Sequence, residues 1–151
     1  MVFRSFMGIA LKEAQAAAAR GEVPVGAALV DPSGAVIARD GNRTRGLKDP
    51  TAHAEILVIR QACATLQSER LPGCALYVTL EPCAMCAAAI SAARISRLFY
   101  GAADPKSGGV GYGARVFAHP QCHHVPEVFD GIHAVAAEDL LKRFFQERRD
   151  A

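Results

Sequence analysis

The sequence has no tryptophan and only three tyrosines, and its charge is nearly balanced: 17 Lys and Arg against 15 Asp and Glu leave a net +2. That balance excludes the strong overall basic field of many dedicated nucleic-acid binders, although a local basic patch survives such an average. Long hydrophobic runs are also missing. None approaches the roughly 20 apolar residues a helix needs to cross a bilayer, so no membrane-spanning helix is expected. The first twenty residues resemble a signal peptide only superficially, because Lys12, Glu13 and Gln15 interrupt their apolar run. They are expected as a mature first helix, and the protein as cytoplasmic. The five cysteines are an odd number, which without a secretory signal argues against a disulfide framework. With 51% hydrophobic residues in 151, the chain supplies one core, and a single domain is expected over 1–151.

What is present is periodicity. Phe3, Phe6, Met7, Ala10, Leu11, Ala14 and Ala17 recur at steps of three and four, marking a helix that ends near Gly21. Val23 to Val30 is an apolar run that stops at the turn sequence Asp31-Pro32-Ser33-Gly34, and Ala35 to Ala38 resumes it. The pair predicts an antiparallel hairpin. A polar, basic loop follows over 41–50, then a helix over about 51–66, a strand at 75–80, an alanine-rich helix over about 83–93 and a strand at 98–101. The stretch 102–124 is long and irregular, a length that in compact domains often marks function. A short strand is expected at 125–128, weakened by Pro126, and a last helix carries Leu140, Leu141, Phe144 and Phe145. Strands alternating with helices predict a three-layer α/β domain with a partly parallel sheet.

Two segments concentrate the chemistry, each at an expected helix start: Thr51-Ala52-His53-Ala54-Glu55 and Glu81-Pro82-Cys83-Ala84-Met85-Cys86. Cys83 and Cys86 stand three apart, so their sulfurs share a helix face. Pro82 suits a first helical turn, and a helix N-terminus stabilises thiolates. Two thiolates and His53 make three of the four ligands of a tetrahedral zinc ion, and the fourth position, left to water, distinguishes catalytic from structural zinc. Glu55 is placed to exchange a proton with that water. Other readings stay open. Taken alone, the C-x-x-C also fits a redox motif or a buried pair, and Glu55 suits any helix N-terminus. His119, His123, His124 and His133 are candidates for closing a structural site, though none shows metal-ligand spacing. Cys63 and Cys74 read as small buried hydrophobes.

His53-Ala54-Glu55 with Pro82-Cys83-Ala84-Met85-Cys86 matches the H-x-E and P-C-x-x-C signature of zinc deaminases. Over nearly the whole chain the sequence resembles the bacterial tRNA-specific adenosine deaminases. The resemblance rests also on Glu22 to Ala27, Gly41-Asn42-Arg43, Asp49 to Ile56, Leu76 to Cys83 and Arg143 to Arg149. It implies a three-layer α-β-α cytidine-deaminase-like domain with a five-stranded mixed sheet, and one Zn2+ per chain on His53, Cys83 and Cys86. The implied reaction is hydrolytic deamination of the wobble adenosine to inosine in a tRNA anticodon stem-loop, with zinc-activated water and Glu55 as proton shuttle. A homodimer with active sites near the subunit interface is implied too.

By the same resemblance, Asn42 contacts the target nucleoside, and Val23 with the main chain of Leu80 and Glu81 walls its pocket. Asp104 and Lys106 meet RNA beside the flipped base, and Phe145 and Arg149 hold the anticodon loop. Aromatic platforms and basic side chains are what single-stranded loops are read by. Yet Asp104-Pro105 is also turn chemistry, and Phe144 and Phe145 also suit a core. Gly109 to Ala114 formally fits G-x-G-x-x-A, but no strand leads into it, so no nucleotide cofactor is expected. The main alternative substrate is a free base or nucleoside such as guanine or cytosine. The paired phenylalanines with trailing arginines and the basic loop from Arg43 to Lys48 favour tRNA. A non-catalytic zinc or RNA-binding protein would have no need of Glu55.

Overall fold

The computed structural model describes residues 5–150. In it the chain runs through α1 (Met7–Ala19), β1 (Gly26–Val30), β2 (Val36–Gly41), α2 (Ala54–Leu66), β3 (Ala75–Leu80), α3 (Ala84–Ala92), β4 (Arg97–Ala102), β5 (Glu127–Phe129) and α4 (Ala134–Asp150). The five strands form one sheet in the order β2-β1-β3-β4-β5. β1 is antiparallel to β2 and β3, while β4 is parallel to β3 and β5. The expected α/β fold with a mixed five-stranded sheet is therefore the one found, as is the hairpin of β1 and β2. Phe3 of the expected first-helix face lies outside the described residues.

Alternation along the strands sorts side chains between two layers. From β3 and β4, Leu76, Val78, Leu98 and Tyr100 enter the larger core, with Val58 of α2 and Ile90 of α3. Tyr77 and Phe99 point the other way, to Phe6, Met7 and Ala10. There the rings of Tyr77 and Phe99 stack with centroids 4.3 Å apart, and Phe129 continues the row at 4.8 Å. α1 and α4 cover this face, and α2 and α3 cover the other.

Several boundaries differ from expectation for local reasons. α2 begins at Ala54 rather than Thr51. Asp49 Oδ1 accepts the backbone N–H and the hydroxyl of Thr51 at 2.9 and 2.7 Å, which holds a turn, and His53 is extended with φ −74° and ψ 152°. α3 begins at Ala84, with Cys83 extended at its N-cap. β2 runs on to Gly41 because it pairs with β1 along its length. The last strand is Glu127–Phe129 rather than 125–128, since Pro126 has no N–H to offer a ladder.

Candidate active site

The N-termini of α2 and α3 meet beside the end of β3. His53 caps α2 and Cys83 caps α3, and neither uses its side chain for the cap. For α2 that task falls to a distant residue: the Ala54 N–H donates to Asn42 Oδ1 at 2.8 Å. The imidazole of His53 is left free for other work. Its Nδ1 lies 3.7 Å from Cys83 Sγ and 3.5 Å from Cys86 Sγ, and one ligand atom from each residue falls within 4.8 Å of the others. Nitrogen and sulfur ligands on one tetrahedral zinc ion stand roughly 3.5 Å apart, so the three side chains fit that ion in donor type and spacing. Among the described residues they are the only such group of His, Cys, Asp and Glu, and the four spare histidines do not join it.

The electrostatics are those of a metal cradle. A hydrogen bond from Cys86, with help from His53, pulls the Cys83 thiol down to about 4. The Cys86 thiol is pushed up by its hydrogen bond to Cys83 and by burial. The hydrogen bond with Cys83 raises His53. One thiolate is thus already favoured, and zinc would displace the remaining thiol proton and bind the imidazole through an unprotonated nitrogen. Glu55, 3% exposed, is raised to about 7 chiefly by burial, against partial relief from its own backbone N–H and from His53. Although Glu55 is two residues from His53, the extended cap lets both line one cavity.

That cavity, of about 250 Å³, is lined by Val23, Asn42, Leu80, Glu81, Cys83 and Asp104 together with His53 and Glu55. It shares Val23, Leu80, Asp104 and Ser107 with a groove of about 680 Å³ whose further lining includes Lys106, Phe145 and Arg149. All twelve residues singled out from the sequence therefore fall in the metal group, this cavity or the adjoining groove. The two phenylalanines divide: Phe144 is buried beneath the Arg148 guanidinium, 4.2 Å from its ring centroid, while Phe145 is 45% exposed. The turn reading of Asp104 also holds, since its Oδ1 accepts the N–H of Lys106 and Ser107 at 3.2 and 3.1 Å.

Sequence reasoning missed Thr44 and Ser107 in the cavity and Leu141 and Arg148 in the groove. It also missed Glu22. This carboxylate is 2% exposed and accepts the N–H of Arg45 and Gly46 at 3.1 and 2.8 Å. Nothing in the local sequence signals that role, because the donors lie more than 20 residues away.

A three-ligand metal group at two helix starts, with a buried glutamate in the same cavity, defines a zinc-dependent deaminase. The sequence model of the cytidine and deoxycytidylate deaminase zinc-binding region matches residues 3–102. The tRNA-specific adenosine deaminase of Agrobacterium fabrum is 60% identical over 144 residues, covering 95% of this chain and 94% of that protein. The chain belongs to the family of tRNA-specific adenosine deaminases within the zinc deaminases. A solved structure from studies of A-to-I editing by tRNA:A34 deaminases at the wobble position of transfer RNA superposes with a TM-score of 0.88 at 61% identity, covering 90% of this chain and 98% of that one. The guanine deaminase of Nitrosomonas europaea is more distant, with a TM-score of 0.78 at 27% identity over 95% of this chain and 86% of that one.

Proposed function

We propose that the chain hydrolyses the wobble adenosine of a tRNA anticodon loop to inosine, releasing ammonia. The observation that carries this reading is the open groove of about 680 Å³ that continues the metal-site cavity and presents Lys106, Phe145 and Arg149. A free base would fill the inner cavity and leave that groove idle. A looped strand uses both, with the flipped base inside and its neighbours outside.

His53, Cys83 and Cys86 would hold one zinc ion per chain. Bound zinc supplies Lewis acidity that lowers the pKa of water from 15.7 to about 7. Glu55, itself raised to about 7, takes a proton from the attacking water. It delivers that proton to the ring nitrogen N1, then takes the second from the hydroxyl added at C6 and carries it to the amine, which leaves as ammonia while the C6 carbonyl forms. A carboxyl poised near neutrality can both accept and donate. Asn42 has committed its oxygen to Ala54, so it has its NH2 group to offer and selects a hydrogen-bond acceptor on the nucleoside. Val23 and Leu80 wall the base, Asp104 and Lys106 border it, Phe145 stacks a flanking base, and Arg149 meets phosphate. The whole of 1–151 acts as one domain. We also assign it to the cytoplasm, where tRNA is used, and to a homodimer, which sedimentation would test.

The deciding experiment incubates the zinc-loaded protein with an anticodon stem-loop carrying adenosine at the wobble position, and in parallel with free guanine, cytosine, adenosine and cytidine. Inosine in the stem-loop with the small molecules intact is the expected result. Ammonia from a free base with the stem-loop untouched would overturn the substrate assignment and keep the zinc chemistry.

A further inference from the structure

The glycine-rich stretch after Lys106 has no role in the reaction as described, and neither has the carboxylate of Glu81. The two meet. Glu81 is the residue after β3 and is 2% exposed. Its Oε1 accepts the Asp104 N–H at 3.1 Å, and its Oε2 accepts the N–H groups of Val110, Gly111 and Tyr112 at 3.1, 3.1 and 3.2 Å. The glycines make this approach possible. A Cβ on Gly108 would collide with that same Oε2, and one on Gly109 would stand 2.5 Å from the backbone nitrogen of Ala84, at the start of α3. The Gly109 N–H in turn donates to the Pro82 carbonyl at 2.8 Å. One buried carboxylate thus gathers both ends of the 104–112 loop onto the short segment that leads into Cys83.

We infer that Glu81 is a positioning residue: its carboxylate ties the 104–112 loop to the cysteine-bearing segment and so fixes the wall that the cavity shares with the groove. The inference rests on the tRNA reading only for its kinetic consequence. Asp104 and Ser107 line both spaces, and Lys106 lines the groove. Without the tether these residues stay in the chain but lose their place, while Glu55 and Cys86 keep theirs on α2 and α3, and His53 and Cys83 keep theirs as the caps of those helices. A charge-assisted acceptor of four N–H groups is not replaced by an amide, whose NH2 end would face N–H donors.

The test uses two variants, Glu81→Gln and Gly108→Ala, the second cutting the tether from the loop side should the first fail to fold. Amide exchange is followed at Asp104, Val110, Gly111 and Tyr112, with zinc content and steady-state kinetics on the stem-loop. The expected result in either folded variant is exchange at those amides faster by about tenfold or more, unchanged zinc, and KM raised about tenfold with kcat within about twofold. Wild-type protection of those amides in the variants overturns the tether. A fall in kcat at unchanged KM in Glu81→Gln overturns it also, because Glu81 would then act on the chemistry. If the wild-type protein leaves the stem-loop untouched, the tRNA reading fails by itself and the exchange measurement still decides the tether.

Discussion

Glu55 and Glu22 are both nearly buried glutamates, 3% and 2% exposed: one lies on the floor of the cavity, and the other lies behind its rim, where it holds the loop that bears Thr44. On the floor, burial outweighs what Glu55 receives, and its carboxyl rises to about 7. On the rim, burial also pushes Glu22 up, but the N–H groups of Gly46 and Arg45, with Arg20 and Thr44, more than offset it, and the carboxyl lies below its ordinary value. The same side chain is poised to exchange a proton near neutrality where desolvation is left unanswered, and is held toward its anionic form where N–H groups answer it. The floor stands on helix starts, the rim on loops held by carboxylates.

The largest effects should come from breaking the floor. Cys86→Ala removes a fully buried ligand, and zinc content should fall from one per chain to a trace, with deamination reduced to background. Glu55→Gln separates metal from proton transfer. It should retain zinc and melt no lower than wild type, yet lose about 10²- to 10⁴-fold in kcat. Metal analysis and single-turnover kinetics check both. A Glu55→Gln protein that turns over normally would end the contrast between floor and rim.

A neighbouring pair sharpens the comparison at the rim. Phe144 is buried and Phe145 is exposed in the groove. Phe144→Ala should therefore cost stability, about 3–5 kcal/mol for a large-to-small change in packed surroundings, as seen in chemical denaturation. Phe145→Ala should leave stability nearly unchanged and weaken stem-loop binding by about 1–3 kcal/mol, the worth of one stacked base. Equal effects of the two changes on binding and on stability would remove the groove's claim to RNA.

The floor was legible in the sequence because its parts are local. His53 with Glu55, and Cys83 with Cys86, lie within one turn of a helix start, and Pro82 marks one of those starts. The strand at 75–80 was legible for the same reason. The rim was not. Glu22 and Glu81 find their donors 23 to 31 residues along the chain, and no spacing rule connects a carboxylate to the N–H groups of a distant loop. The start of α2 was misjudged by three residues because the Asp49–Thr51 turn holds the chain extended up to His53. Which of two adjacent phenylalanines faces inward depends on how α4 lies across the sheet, a tertiary fact.

The smallest effect concerns Glu22 and acid. Its folded-state pKa lies below the ordinary 4.5, so between those two values the unfolded chain binds more protons than the folded one. The stabilisation by Glu22 is therefore fully present above about pH 4.5, and it is lost as pH falls through the lower, folded value. Asp31 and Asp49 are likewise held low, by hydrogen bonds from Ser33 and from Thr51, so the acid sensitivity of the wild-type protein alone would mix several groups. The difference between wild type and Glu22→Gln removes the others. That difference in Tm should be largest near neutral pH, where replacing a buried, hydrogen-bonded carboxylate costs about 1.5–3 kcal/mol and each kcal/mol moves Tm by roughly 2–4 °C. It should shrink steadily once the pH passes below about 4.5, while zinc content stays equal in the two proteins wherever both are folded. A gap that stays constant into strong acid would mean that Glu22 acts through its shape and not its charge, and the electrostatic account of the rim would fail.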